Sequence, residues 1–174
     1  MINFRENLPH ITTFIFDFDG VLTDGKVTVI NEHEQLRSAY VKDGYALQYA
    51  VKKGYRIAII SGGKSQSMSM RMESLGIKDV FLGVHDKVDI FKKYLTDNHL
   101  DASEVIYMGD DIPDYPVMKL VAVAACPADA VEEIRSISHY ISDKKGGEGC
   151  VRDIIEQVLR LQGNWFKDTE AFIW

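Results

Sequence analysis

Short apolar runs at 11–17, 56–61, 79–82, 104–109 and 121–126 alternate with stretches of helical character at 44–53, 64–75, 87–98, 115–120 and 128–138. The runs are bounded by Gly, Asp or Ser, and Gly54 and Gly76 stand where helix C-caps belong. A strand that is apolar over its whole length must be covered on both faces. Strands alternating with helices at this spacing therefore predict an α/β fold, a doubly wound parallel sheet. The 174 residues suffice for a single domain, 1–174. Two segments break the alternation. Residues at about 26–41 alternate as β-strands do around Asn31-Glu32, which predicts a small hairpin inserted after the first strand. A tail at about 161–174 carries two tryptophans and two phenylalanines in a polar setting, a composition suited to a partner surface, with a frayed end as the alternative.

In an open parallel sheet, ligands bind beyond the carboxyl ends of the strands, near the point where strand order reverses. The first run ends in Asp17-Phe18-Asp19-Gly20. Residues two apart in a strand share a side, so two carboxylates are expected together at a buried strand end. Like charges there raise each other's proton affinity unless a cation lies between them. A divalent metal with oxygen ligands relieves that cost, and a free carboxylate oxygen can then attack an electrophile beside it.

The later strand ends carry further candidates. Ser61-Gly62-Gly63-Lys64 offers a hydroxyl and successive amides at a helix start, either an anion site or an ordinary N-cap. Lys87 opens a helix, an unfavourable place for a cation against the helix dipole, and is otherwise a surface lysine. Gly109-Asp110-Asp111-Ile112-Pro113-Asp114 gathers three more carboxylates, or forms a solvated acidic turn.

Taken in order, Asp-x-Asp, Ser, Lys and Gly-Asp-Asp-x-x-Asp resemble the motifs of the haloacid dehalogenase superfamily of phosphohydrolases. The resemblance runs from Ile11 to about Leu161. It implies Asp17 as the nucleophile that becomes an aspartyl-phosphate and Asp19 as general acid and then base. Asp110, the Asp17 carboxylate and the Asp19 main-chain carbonyl would hold Mg2+. Asp111 and Asp114 would support the metal and Lys87, while Ser61 and Lys87 would grip the phosphoryl oxygens. The second aspartate sets the chain apart from dehalogenases, whose halide leaving group needs no acid.

Neither the stretch between the first and second strands nor that between Lys87 and Gly109 has room for a cap domain. The segments DGVLTDG, DGYALQYAVKKG, GDDIPDYPVM and GGEGCVRDIIEQVL resemble the capless phosphatases of 3-deoxy-D-manno-octulosonate 8-phosphate, lipopolysaccharide precursor enzymes that are homotetramers. Nonulosonate (sialic-type) 9-phosphate phosphatases are the nearest alternative, and a catalytically silent assembly module a more distant one. A receiver-type phosphorelay domain shares the sheet but not the Asp-x-Asp spacing. The family position that distinguishes eight- from nine-carbon enzymes by Arg or Glu is Gly63 here. Gly62, Lys64 and Arg71 are the remaining substrate-binding candidates by resemblance, with Arg71 able to pair bidentately with a carboxylate.

Composition agrees with an enzyme of small molecules. A net charge of −6 with no basic run argues against nucleic acid as partner. Two cysteines are too few for a disulfide scaffold, and the five histidines lack metal-ligand spacing and are taken as surface or structural. With no apolar run of signal or membrane-spanning length, a cytoplasmic protein is expected.

Overall fold

The computed structural model describes residues 4–31 and 35–174. Its strands are β1 (Thr13–Phe16), β2 (Thr28–Val29), β3 (Gln35–Leu36), β4 (Arg56–Ile60), β5 (Asp79–Phe81), β6 (Val105–Met108), β7 (Val123–Cys126) and β8 (Tyr140–Ile141). Its helices are α1 (Val41–Lys52), α2 (Gln66–Ser74), α3 (Lys87–Asn98), α4 (Tyr115–Met118), α5 (Glu132–Ile137) and α6 (Cys150–Leu161). One six-stranded sheet has the order β5-β4-β1-β6-β7-β8, parallel throughout. The chain runs outward from β1 through β4 to β5, then crosses to β6 on the other side of β1. The strand order therefore reverses around β1, where the Asp-x-Asp motif begins.

Alternation along the strands feeds two cores. Phe14 and Phe16 of β1 join Ile57, Ile59, Ile106 and Met108 under α1, α2 and α6. Ile15, Ala58, Ile60 and Tyr107 point the other way, to α3, α4 and α5. No cap intervenes over the carboxyl edge among the described residues. The hairpin is present as the antiparallel pair β2–β3, and the Glu32 half of its expected turn lies outside the described residues. An isolated bridge between Thr23 and Ala39 ties the return arm of the hairpin to the loop after β1. Among the described residues no helix is long and apolar enough to cross a membrane.

Three boundaries differ from expectation. The stretch expected to be helical at 128–138 forms only α5, because Val131 is extended and the preceding residues turn. The edge strand β8 was not foreseen: two residues are too few for a pattern, and its pairing with β7 creates it. Much of the tail packs on its own chain. Trp165 meets the rings of Tyr45 and Tyr49, Trp174 stacks on Tyr45, and the Tyr45 hydroxyl donates to the Ala171 carbonyl at 2.5 Å. Phe166, Phe172, Ile173 and Trp174 stay exposed.

Asp43 ties α1 to α6. Its Oδ1 accepts the Arg152 N–H at 2.7 Å, one of the donors a helix start leaves unmatched, while its buried Oδ2 has no partner. Burial pushes this carboxyl up to about 6 despite the Arg152 N–H. A raised value means that the folded protein binds the proton more tightly. Stability is then fullest below the unfolded value near 4 and is lost as pH rises through 6, by about 3 kcal/mol. Asp43→Asn keeps an acceptor for Arg152 without the charge. Urea unfolding of both proteins is expected to give similar stability near pH 4 and a more stable variant above pH 6. A pH-independent difference would remove this account.

Candidate active site

The carboxyl ends of β1, β4 and β6 surround a cavity of about 490 Å³ lined by Asp17, Asp19, Ser61, Gly62, Gly63, His85, Lys87, Asp110, Asp111 and Asp114 among others. Asp17 and Ser61 reach it by the same route: a buried strand ends, and the next residue is polar. Asp17 follows β1, and its N–H still donates to Met108 of β6 at 3.0 Å. Ser61 follows β4, fully buried, with Oγ accepting the Gly63 N–H at 3.2 Å. Asp110 lies two residues past the end of β6.

Lys87 is the cation of the site. Asp86 caps α3 by accepting the Val88 and Asp89 N–H groups, and Lys87 turns inward, 7% exposed. Its Nζ lies 2.7 Å from Asp114 Oδ1 and 3.1 Å from Asp17 Oδ1. Burial works against the ammonium, but Asp114 and Asp17 outweigh it and hold the group above its ordinary value. Asp114, fully buried, also accepts the Tyr107 hydroxyl at 2.7 Å on Oδ1 and the Asp110 N–H at 3.2 Å on Oδ2. Three donors thus leave it little capacity for anything else.

Asp17, Asp110 and Asp114 offer carboxylate oxygens within 4.8 Å of one another. Burial, then Asp114, push the Asp17 carboxyl up to about 7 against the pull of Lys87. Burial and the Asp17 charge push Asp110 to about 8. Asp110 Oδ1 is buried without a hydrogen-bond partner, and Gly20 sits so close that a Cβ there would lie 2.0 Å from Asp110 Oδ2. With Asp114 occupied, Asp17 and Asp110 remain the carboxylates free to ligate. An all-oxygen donor set with a surplus of negative charge suits a hard divalent cation such as Mg2+.

Asp19 behaves differently from the expected crowded pair. β1 ends at Phe16, so strand alternation does not extend through Phe18, whose carbonyl accepts the Val21, Leu22 and Thr23 N–H groups in a turn. The Asp19 carboxylate is outside the acidic cluster and pairs instead with Arg37 Nε at 2.7 Å. The crowding at Asp17 comes from Asp114 and Asp110.

The sequence-predicted residues divide accordingly. Asp17, Asp19, Ser61, Gly62, Lys87, Asp110, Asp111 and Asp114 share the cavity. Asp111 uses its carboxylate to accept the Ile112 N–H at 2.7 Å. Lys64 and Arg71 are not among the cavity's lining residues. The Lys64 stem covers Gly83, and the Arg71 guanidinium lies against Gly44 of α1. Two contributors escaped sequence reasoning, Tyr107 and Arg37. The signal for Tyr107 was a hydroxyl in an otherwise apolar buried strand, which requires a buried partner. His85, an exposed residue as expected of the surface or structural histidines, also lines the cavity.

A doubly wound sheet whose strand ends gather an acidic cluster and a buried lysine defines a hydrolase of the haloacid dehalogenase type. The family profile described as haloacid dehalogenase-like hydrolase matches residues 31–119, and the chain belongs to that family. It is 33% identical over 157 residues, 90% of this chain and 84% of the relative, to the 3-deoxy-D-manno-octulosonate 8-phosphate phosphatase of Yersinia pestis. The crystal structure of that enzyme from Yersinia pestis superposes with a TM-score of 0.91 at 31% identity, covering 94% of this chain and 88% of the other. The enzyme from Moraxella catarrhalis, solved with magnesium ion, phosphate ion and a KDO molecule, gives a TM-score of 0.91 at 32% identity over 99% and 98% of the two chains.

Proposed function

We propose that the chain is a magnesium-dependent phosphomonoesterase that hydrolyses 3-deoxy-D-manno-octulosonate 8-phosphate to the free sugar acid and phosphate. The observation that carries this reading is the Asp17–Lys87–Asp114 chain beside Asp110, in a chain similar over nine-tenths of its length to such enzymes. Asp17 and Asp110, with the Asp19 main-chain carbonyl, would hold the metal. When bound, Mg2+ supplies charge neutralisation for the phosphoryl oxygens.

The remaining roles fall to side chains of this protein. Lys87, fixed by Asp114, and Ser61, with the Gly62 and Gly63 backbone, hold the phosphoryl group in line with Asp17. An Asp17 oxygen forms a bond to phosphorus as the bond to the sugar oxygen breaks, and Asp19 donates its proton to that departing oxygen. Asp19 then takes a proton from water as the water oxygen attacks phosphorus, which releases phosphate and restores Asp17. Asp111 would support the metal from the rim. Lys64 and Arg71, outside the cavity of one chain, would contact substrate only through side-chain movement or a neighbouring subunit.

The exposed Val29, Ile30 and Leu36 of the hairpin and the exposed end of the tail support self-association, which we read as a homotetramer in the cytoplasm. The substrate is decided by phosphate release with Mg2+ from the eight-carbon ester against a nonulosonate 9-phosphate. The eight-carbon ester is expected to give the higher kcat/KM, and equal or faster turnover of the nine-carbon ester would overturn the choice.

A further inference from the structure

The proton-transfer group and its partner make an asymmetric contact. Asp19 Oδ1 accepts from Arg37 Nε at 2.7 Å, and the Thr23 hydroxyl lies 3.5 Å from the same oxygen. Oδ2 lies beside Gly63, where a Cβ would sit 3.0 Å from it. Asp19 and Gly63 both line the cavity. Arg37 Nε therefore takes Oδ1, and Oδ2 is the Asp19 oxygen beside the Gly63 wall of the cavity.

The placement of Arg37 is costly on packing grounds alone. Its side chain is 7% exposed, and Nη1 is buried without an acceptor. Burying a guanidinium with an unmatched donor is unfavourable unless the ion pair is retained for another reason. The backbone aims it: the Thr23–Ala39 bridge lays the hairpin's return arm across the loop after β1, and Arg37, two residues before Ala39, reaches back over Asp19. A Cβ at Gly63 would crowd Asp19 Oδ2 at 3.0 Å and meet Arg37 Nη2 at an ordinary 3.5 Å, so the missing side chain at 63 leaves room for the carboxylate.

We propose that Arg37 is a positioning residue that pins Asp19 Oδ1 and thereby dedicates Oδ2 to proton transfer with the leaving sugar oxygen. The inference rests on the phosphomonoesterase reading above and adds the group that orients its acid. A rigid salt bridge at Oδ1 removes rotation of the carboxylate about its Cβ–Cγ bond. The proton then moves through one oxygen at one place, which is what orientation contributes to general acid catalysis.

The test uses the leaving group. An alkyl phosphate needs a proton on its departing oxygen, whereas p-nitrophenolate departs without one. kcat/KM covers steps up to formation of the aspartyl-phosphate, so only the alkyl ester reports Asp19 as acid. Arg37→Met keeps the apolar stem and removes the pin, and Arg37→Lys restores one donor. For the methionine variant, kcat/KM on the octulosonate ester is expected to fall about 100-fold, and on p-nitrophenyl phosphate by less than about 5-fold. The lysine variant is expected to fall between the parent and the methionine variant on the sugar ester. Equal losses on both esters, or no loss on either, would overturn the proposal. A parent inactive on the sugar ester counts against the substrate reading alone, since the alkyl-to-aryl ratio is then read on glycerol phosphate.

Discussion

Asp17→Asn is expected to lower kcat by a factor on the order of 10⁵ or more, because the group that bonds to phosphorus is gone and nothing beside it can substitute. The fold should survive. Asparagine has the same shape and can still accept the Phe18 N–H that Asp17 Oδ1 accepts at 2.7 Å. Stability should even improve in metal-free buffer at alkaline pH. Burial and Asp114 have pushed the Asp17 carboxyl up to about 7, so the folded state holds its proton more tightly than the unfolded state. Its contribution is complete below the unfolded value near 4 and is lost as pH rises through 7. The variant should therefore match the parent in acid and exceed it at pH 8, read from urea midpoints in EDTA. Retained turnover would remove Asp17 as nucleophile, and a variant less stable at pH 8 would remove the electrostatic account.

Lys87→Met should be the most damaging substitution for stability. It leaves Asp17, Asp110 and Asp114 facing one another without their cation, where breaking a buried ion pair costs about 3–5 kcal/mol. The loss is expected at pH 8 in EDTA. It should shrink at pH 5, below the values of about 7 and 8 for Asp17 and Asp110, because both carboxyls are then protonated and need no counter-charge. Saturating Mg2+ should recover part of it at pH 8. kcat should fall by about 10²–10³, the usual cost of removing one fixed donor to a phosphoryl or oxyanion group. An equal loss of stability at both pH values would assign Lys87 to packing rather than charge.

The chemistry of the strand ends was legible because a parallel sheet places the residue after each buried run at a common edge. Asp17, Ser61, Lys87 and Asp110 each follow or open an element whose type the hydrophobic pattern reveals. No comparable rule leads to Arg37. It lies on a short hairpin with both strands exposed, and its partner is found only once the Thr23–Ala39 bridge folds that hairpin over the first loop. Tyr107 was hidden differently, as one more large side chain in a buried strand until Asp114 came within 2.7 Å of its hydroxyl. The substrate candidates Lys64 and Arg71 share a helix and loop with the site but turn toward Gly83 and Gly44. Nearness in sequence does not determine which way a long side chain lies.

The resemblance carried by Asp-x-Asp, Ser, Lys and Gly-Asp-Asp-x-x-Asp gathered Asp17, Asp19, Ser61, Lys87 and Asp110 at one edge, while periodicity and the residues that end each apolar run were enough for the doubly wound sheet and the absence of room for a cap. These follow from local rules of alternation and capping that act along the chain. How the charge is shared among those groups is a matter of distances between segments far apart in sequence. Asp17 and Asp19 looked like a crowded pair, yet the strand stops at Phe16 and the two part company. Asp17 joins Asp110, Asp114 and Lys87, while Asp19 is held by Arg37. Coulomb energy depends on separation and burial, and both are set only when the strands, the hairpin and α3 close around the same cavity.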